Sequence, residues 1–393
     1  MKRTQFILFV LLPSLLISGC WDRVELNDLA IITAAAIDAK KDNKIELTIQ
    51  VFAPRSLSGG GITGGGSTEN LTLVRSGEGI NMADAMSKLQ TKLPRRLFWG
   101  HCKVYVFGEE MAKRGIAREM DFLLRHPEPR ERSYMYISKG EASTIMELMP
   151  PLERYSGEVL RELSDLRIGM TVTMKDLQVM LREDSKSAIL PFVEILPQRK
   201  NEMKLHTIPF LFGSAVFHKD KMIGRLSQRE TRGVLWIRND IITTTVSVKT
   251  EENKGSISLQ PVKETTKLVP EINEGKWIMN INIEAEGDLV QNETNLDLLN
   301  PQLLRKIEKD VRQDIVRRVE IALNRVQKEM KADVFGFGEA FHRKYPKEWA
   351  KVKDNWTETF VKLEVHTHVK AYIKRPGLIN VPGAIPENEV QTK

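Results

Sequence analysis

The feature that most constrains this chain is the short apolar segment at its start, which ends in Ile17-Ser18-Gly19-Cys20. Lys2 and Arg3 precede an apolar block from Phe6 to Ile17, and small residues stand directly before the cysteine. A positive start, an apolar block of this length and small residues at its end are typical of a cleaved secretory signal. Because the block is well short of the ~20 apolar residues of a spanning helix, the sequence predicts removal of residues 1–19.

Cleavage after Gly19 makes Cys20 the first residue of the mature chain, where its thiol can carry a thioether-linked lipid. Each buried methylene contributes ~0.8 kcal/mol, so two or more acyl chains hold a protein stably on a membrane. We therefore expect lipidation at Cys20 and a chain tethered outside the cytoplasmic membrane. This location excludes nucleic acid as a partner. The alternative is an ordinary signal peptide with an incidental cysteine.

The composition is that of a globular chain with 41% hydrophobic and 28% charged residues, long enough at 393 residues for two or three domains. The formal charge of +7 is a mild basic excess, compatible with an anionic membrane surface or an acidic partner. With Cys20 modified, Cys102 is the only free thiol, so no intrachain disulfide can form. Its strand-like run from Cys102 to Phe107 predicts a small buried side chain rather than a reactive group.

Hydrophobic periodicity predicts an α+β fold with mixed sheets and packed helices. The unbroken apolar run from Leu29 to Ile37 predicts a strand buried on both faces, and the alternation from Lys44 to Phe52 predicts its hairpin partner. From Thr72 to Pro151 helical and strand periods alternate, with a helix predicted from Glu109 to Leu124. Such alternation is typical of helices packed on a mixed sheet.

The C-terminal half is predicted to contain further strands and one long amphipathic helix. The strands are Gly213–Leu226 as a hairpin, Gly233–Arg238, Ile242–Lys249, Lys276–Glu286 and Glu364–Ile373. Asn300 caps the helix at 301–331 and Pro301 is its first residue. Its apolar residues recur at a spacing nearer 3.6 than 3.5, which favours packing on a sheet over a coiled coil.

These elements predict a multidomain chain. After the signal peptide at 1–19, residues 20–200 form an N-terminal α+β domain with a glycine-rich surface loop at 58–67. Residues 205–376 form a C-terminal α+β region, divisible near residue 270, and 377–393 form a disordered tail.

No catalytic constellation has the spacing that chemistry requires. Nucleophile-elbow, zinc-protease, Cys-x-x-Cys and dinucleotide patterns do not occur in the sequence. His366 and His368 share one face of a predicted strand and could ligate a metal with a third group, although half-exposed strand histidines are far commoner. We therefore predict a protein that is not an enzyme and needs neither cofactor nor metal.

Bases and aromatic residues interleave from Lys92 to His101. Outside a membrane, this pattern favours either a partly buried connecting segment or a contact with lipid headgroups or a partner protein. Arginine and tryptophan dominate interface energies where they cluster. Arg95, Arg96 and Trp99 are therefore the candidate partner-binding residues.

Four blocks of the sequence resemble the C-subunit lipoprotein family of spore germinant receptors, the Ger(x)C family. We call them the family blocks. They are Gly19-Cys20-Trp21-Asp22-Arg23-Val24-Glu25-Leu26; Leu89 to His101 with Val106-Phe107-Gly108-Glu109-Glu110; Gly213-Ser214-Ala215-Val216-Phe217 with Glu230-Thr231-Arg232-Gly233; and Phe335-Gly336-Phe337-Gly338 with Tyr345-Pro346-Lys347-Glu348-Trp349 and Asn355-Trp356. In this order, the four family blocks span nearly the whole mature chain.

The resemblance implies a non-enzymatic receptor subunit, lipid-anchored on the non-cytoplasmic face of the spore inner membrane. It also implies assembly with two polytopic membrane subunits that respond to nutrients, and a multidomain α+β fold. Cys20 is the one functional residue that the resemblance transfers. A second reading, from another class, is a solute-binding lipoprotein that delivers a nutrient to a membrane transporter. Direct nutrient binding by the mature chain would favour that reading.

Overall fold

The structure is a computed structural model, which describes residues 25–52, 72–198, 200, 205–241, 245–250, 255–375, 386, 389 and 390. The predicted signal peptide and lipidation site Cys20 lie outside the described residues. So do the glycine-rich segment 58–67 and nearly all of the predicted tail.

The strands, in chain order, are β1 Leu29–Ala39, β2 Ile45–Phe52, β3 Thr72–Gly79, β4 Arg96–Phe98, β5 Val104–Gly108, β6 Tyr134–Ser138, β7 Ser187–Ile195, β8 Pro209–His218, β9 Lys221–Ser227, β10 Val246–Lys249, β11 Ser256–Asn273, β12 Lys276–Asn292 and β13 Glu364–Arg375. The helices are α1 Met82–Gln90, α2 Glu109–Arg114, α3 Ala117–Arg125, α4 Ser143–Met146, α5 Ser156–Asp165, α6 Met174–Arg182, α7 Gln228–Arg238, α8 Pro301–Leu323, α9 Phe337–Lys344, α10 Pro346–Val352 and α11 Trp356–Lys362. The predicted α+β class is confirmed.

The first sheet has nine strands in the order β3-β2-β1-β5-β6-β7-β8-β9, with β4 paired to the start of β1. Its centre is parallel, from β1 through β5 and β6 to β7, and antiparallel hairpins extend both sides. Ala35 and Ile37 of β1 pack into one buried cluster while Ala34 and Ala36 pack into another. The prediction of a strand buried on both faces is confirmed, and so is the hairpin with β2.

The second sheet has the order β10-β11-β12-β13, with β13 parallel to β12 and the other pairs antiparallel. Helix α8 packs on it through a buried stripe that includes Ile307, Val311 and Ile315. The Asn300 side chain accepts a hydrogen bond from the Gln302 N–H at 2.8 Å, as its predicted capping role requires. The long helix on a sheet is confirmed, with its last seven residues, Asn324–Met330, wound as a wider π-turn.

Two local predictions were wrong. Gly233–Arg238 is not a strand but the end of helix α7, which a reciprocal capping box between Ser227 and Glu230 begins. The predicted helix from Glu109 to Leu124 is two helices, because Gly115 takes φ +125° between them.

Strand pairing continues past the boundary predicted near residue 200. Strand β8 pairs with β7 and β9 pairs with β8, so the first sheet runs on to Ser227. Residue 270 lies within β11. The division into domains stays a prediction. Among the described helices, none is both long and apolar enough to cross a membrane.

Candidate functional site

The basic and aromatic segment forms a short strand and a tight turn at the edge of the first sheet. Residues 96–98 form β4, parallel to the first residues of β1. Trp99 is only 3% exposed, and its ring stacks on Tyr105 with 6.3 Å between centroids and 8° between planes. The Trp99 N–H donates to Glu128 Oε2 at 2.9 Å. Trp99 therefore belongs to the core, beneath the turn.

The two arginines that precede Trp99 in the chain differ in exposure. The Arg96 side chain is 68% exposed and forms an ion pair with Glu128 at 3.7 Å, whereas Arg95 is half-buried. The Gln90 side chain holds the turn, because its Nε2 donates to the Arg95 carbonyl at 2.8 Å and its Oε1 accepts from the Leu97 N–H at 3.0 Å. The Arg96 side chain is therefore largely exposed, on a segment whose backbone Gln90 holds in place. Partner contact through Arg95 and Arg96 remains a prediction.

Cys102 is a small buried side chain, as predicted. It is 1% exposed, and its thiol donates to the Val104 carbonyl at 3.4 Å. Burial raises the pKa of the thiol to about 12. A thiol with so little thiolate is a poor nucleophile and a poor metal ligand.

His366 and His368 lie on the exposed face of β13, beside Asn280 and Asn282 of β12. Within the described part of the chain, no group of three His, Cys, Asp or Glu side chains could hold a metal ion.

The family blocks place glycines where another part of the chain approaches the backbone closely. A Cβ on Gly108 would collide with the carboxylate of Asp38, which accepts hydrogen bonds from the N–H groups of Ala142 and Ser143 at 2.7 and 2.9 Å. A Cβ on Gly233 would collide with the Arg318 carbonyl, at the crossing of α7 and α8. Both glycines permit approaches that any side chain would prevent.

The last family block surrounds a buried carboxylate that the sequence did not reveal. Asp333 accepts hydrogen bonds from the Phe337 N–H at 3.1 Å, the Gly338 N–H at 2.7 Å and the Trp356 Nε1–H at 2.9 Å. Burial raises the pKa of Asp333, and these donors oppose that rise. The arrangement fixes the start of α9 to α11.

We call Asp333 and its hydrogen-bond donors the Asp333 node. Aromatic rings extend from this node toward the first sheet. Trp356 meets Trp349 edge-on with centroids 4.8 Å apart, and Trp349 Nε1 donates to Asp184 Oδ2 at 3.2 Å. Asp184 follows α6, which leads into β7 of the first sheet. The block therefore joins helices that are far apart in sequence. Its uncommon tryptophans and glycines were the available signal, but their physical role depends on Asp333.

Two family models match the chain in order. The model described as the spore germination protein N-terminal domain matches residues 22–195. The model described as spore germination B3/GerAC like, C-terminal, matches residues 212–377.

Curated relatives match over almost their whole lengths. Spore germination protein KC of Bacillus subtilis (strain 168) is 28% identical over 97% of this chain and 98% of its own. The putative spore germination protein YfkR of the same organism is 29% identical over 96% of this chain and 98% of its own. Spore germination protein GerQC of Bacillus cereus is 21% identical over 96% of this chain and 99% of its own.

The crystal structure of the GerBC protein has the same fold. It superposes with a TM-score of 0.58 at 20% identity, covering 87% of this chain and 97% of that chain. The two family models together match most of the sequence in the order expected for one protein. The chain therefore belongs to the spore germination B3/GerAC-like family.

Proposed function

We propose that this chain is the lipid-anchored C subunit of a nutrient germinant receptor, required for spore germination in response to nutrients. The observation that carries the proposal is the ordered match of both family models, together with relatives named as spore germination proteins over nearly their full lengths. The chain acts beside two polytopic membrane subunits, on the non-cytoplasmic face of the spore inner membrane. Its own surface supplies coupling between partners rather than chemistry.

The packing supports a rigid subunit of this kind. The hydrogen bond from Trp349 to Asp184 and the Asp333 node connect the C-terminal helices to the layer of the first sheet. Packed elements with satisfied buried polar groups transmit strain rather than absorb it. Strain from a contact made at one sheet can therefore be transmitted to the other sheet.

Deletion of the chain tests the proposed role. Spores without it should fail to germinate with one set of nutrients and should still respond to germinants that bypass receptors. Restoration by the wild-type chain is the control. Normal germination of the deletion spores with every nutrient tested would overturn the receptor role.

The anchor is tested separately by Cys20→Ala. No other residue offers a thiol at the predicted cleavage site, so the variant should lose incorporation of labelled fatty acid and leave the membrane fraction. Cys102→Ala is the matched control, because that thiol is buried and should not affect labelling. Unchanged labelling of Cys20→Ala would contradict the anchor.

The partners are tested by crosslinking in intact spores. Capture of two polytopic chains with the wild-type protein, and their loss when the tether is removed, is the expected result. Capture of a transporter alone would support the solute-binding reading instead.

A further inference from the structure

Strand β13 forms one end of the second sheet, and among the described residues no strand lies beside its outer edge. The strand is 12 residues long, whereas β10 at the other end of the same sheet has four. The described elements that pack most closely on β13 are β12 and α8. Natural sheets usually keep a free edge short or cover it, because its row of free N–H and C=O groups pairs readily with another strand. The length of β13 therefore makes this edge a candidate site for an added strand.

One hydrogen bond shows which N–H groups of β13 point away from β12. The Ile373 N–H donates to Glu308 Oε1 of α8 at 3.1 Å, so it does not point toward β12. The pairing with β12 is regular from Glu364 to Ile373, and the backbone groups of successive strand residues point to alternate sides. The N–H groups of Thr367 and Val369 therefore face outward as well. In the part of the chain that the structure describes, neither group has a hydrogen-bond partner.

A groove of about 450 Å³ lies between α8 and β13 at this edge. Its apolar surface comes from Val316 of α8 and Val369 of β13. Arg312 and Arg317 of α8 also line the groove, and Glu320 is the one carboxylate among its lining residues. The groove therefore combines a positive charge with a small apolar surface, directly beside the free backbone groups.

The two groove arginines form no ion pair within the described ranges. Two carboxylates of the same helix are engaged elsewhere, because Asp314 pairs with Arg318 and Glu308 accepts from the Ile373 N–H. A guanidinium binds a carboxylate through two parallel hydrogen bonds, which are stronger than bonds between neutral groups. The groove is therefore suited to the acidic side chains of a strand laid along the edge.

A second copy of this chain fits the edge poorly. Strand β13 carries Lys370, Lys374 and Arg375, and Glu364 is its one acidic residue. Like charges on facing strands destabilise their pairing. Pairing of β13 with β13 of another copy would bring these cations together, whereas an acidic strand would complement them.

We propose that the free edge of β13 binds an extended, acidic segment of a partner protein, which adds a fifth strand to the four-stranded second sheet. Backbone groups of the segment pair with the outward N–H and C=O groups of β13, as in other cases of strand addition. Its carboxylates contact Arg312 and Arg317, and its small apolar side chains lie on Val316. This inference does not rest on the proposed receptor function, and its failure would leave the germination test of the deletion spores unaffected.

Fluorescence anisotropy with the mature, lipid-anchored chain in detergent tests the edge. The probe is a short fluorescent peptide in which glutamate alternates with valine. One control peptide has lysine in place of glutamate, and another keeps glutamate but carries N-methyl groups on alternate backbone amides. The glutamate peptide should bind, and each control should bind at least about tenfold more weakly, because it lacks either the charge-assisted contacts or the backbone hydrogen bonds. Absence of binding by the glutamate peptide, or equal binding of either control, would overturn the proposal.

Charge reversal in the groove tests the role of the arginines. Arg312→Glu combined with Arg317→Glu should weaken binding of the glutamate peptide by about tenfold or more and strengthen binding of the lysine peptide. Lys347→Glu combined with Lys351→Glu is the matched control, because these exposed residues of α10 do not line the groove and the net charge changes equally. Equal weakening in the two double variants would reduce the binding to non-specific charge attraction and contradict the site.

Proline substitutions test the backbone of the edge. Thr367→Pro removes an outward N–H, which an edge strand tolerates, whereas His368→Pro removes an N–H that faces β12. Thr367→Pro should therefore melt at a higher temperature than His368→Pro and should bind the glutamate peptide about tenfold more weakly than the wild type. Undiminished binding by folded Thr367→Pro would place the peptide elsewhere. A wild-type dimer in sedimentation that Thr367→Pro abolishes would assign the edge to a second copy and overturn the proposal.

Discussion

The indole Nε1–H of Trp356 donates to Asp333 Oδ2 at 2.9 Å, inside a core where Asp333 is 3% and Trp356 2% exposed. Backbone N–H groups of Phe335, Phe337 and Gly338 donate to the same carboxylate. A buried carboxylate is costly unless hydrogen bonds replace its water. Because Asp333 needs hydrogen-bond donors, it fixes the side chain of Trp356. The helices α9 and α11 are fixed with that side chain.

Trp356→Phe should destabilise the protein by more than the loss of ring area, because it also removes the indole N–H donor to Asp333. A buried charged group left short of a donor costs about 1–3 kcal/mol. Urea denaturation followed by far-ultraviolet circular dichroism measures the change.

The matched control for that substitution is Trp277→Phe. Trp277 packs on Phe341 with centroids 4.6 Å apart, and its indole N–H makes no hydrogen bond to another described residue. Trp277→Phe therefore replaces the same indole ring but removes no hydrogen bond from a buried carboxylate. Equal losses of stability in the two variants would contradict the role assigned to Asp333.

Gly233→Ala should destabilise the packing of α7 on α8. The new Cβ would collide with the Arg318 carbonyl and would lie 2.6 Å from the Ala322 Cβ, so the helices must separate. Overpacking of this kind costs about 1–3 kcal/mol. Gly169→Ala is the control, since its Cβ would meet only the end of the Leu211 side chain at 3.3 Å. An unchanged melting temperature for Gly233→Ala, together with a lowered one for Gly169→Ala, would contradict the assigned collision at the crossing of α7 and α8.

Glu264 should make stability depend on pH. Burial, and secondarily the negative charge of Asp240, raises its pKa from 4.5 to about 8, and neither carboxylate oxygen has a hydrogen-bond partner among the described residues. Between these two values the folded chain binds more protons than the unfolded chain. The contribution to stability is therefore complete below this window and is lost as the pH rises through it.

Urea denaturation of the wild type and Glu264→Gln, at about pH 5 and about pH 9, measures this linkage. The variant should lose less stability than the wild type between these conditions, because its amide does not ionise. Glu284→Gln, exposed on β12, is the control and should follow the wild type. A wild-type loss that Glu264→Gln reproduces in full would assign the pH dependence to other groups.

Unbroken apolar runs show how far the sequence predicts this fold. Leu29 to Ile37 was predicted as a strand and is one, whereas Gly233 to Arg238 was predicted as a strand and is helical. Most residues of both runs are buried, so neither run carries a period that distinguishes a strand from a helix. The deciding signal lay upstream, in the spacing of Ser227 and Glu230 that begins a helix.

The sites depend on contacts that no local pattern contains. The sequence identified Trp99 as a candidate for the surface, but its stacking on Tyr105 places it in the core. No local sequence pattern identifies Asp333, because its burial results from segments distant in the chain.

The final prediction concerns Arg95 and Arg96. Replacing both with alanine should leave stability within about 1 kcal/mol, because the exposed ion pair of Arg96 with Glu128 contributes little. If the pair contacts a receptor partner, spores carrying the double variant should respond more weakly to the same nutrients as deletion spores.

Gln90→Ala separates that surface role from the shape of the turn. It removes the hydrogen bonds that hold the Arg95 carbonyl and the Leu97 N–H while keeping both arginines. If the arginines make the contact, the double alanine variant should impair germination although the anchored protein is present at wild-type levels. Gln90→Ala should impair germination less than the double variant does. A double variant that folds, is anchored and germinates normally removes Arg95 and Arg96 from the interface, and Trp99 then acts in the core alone.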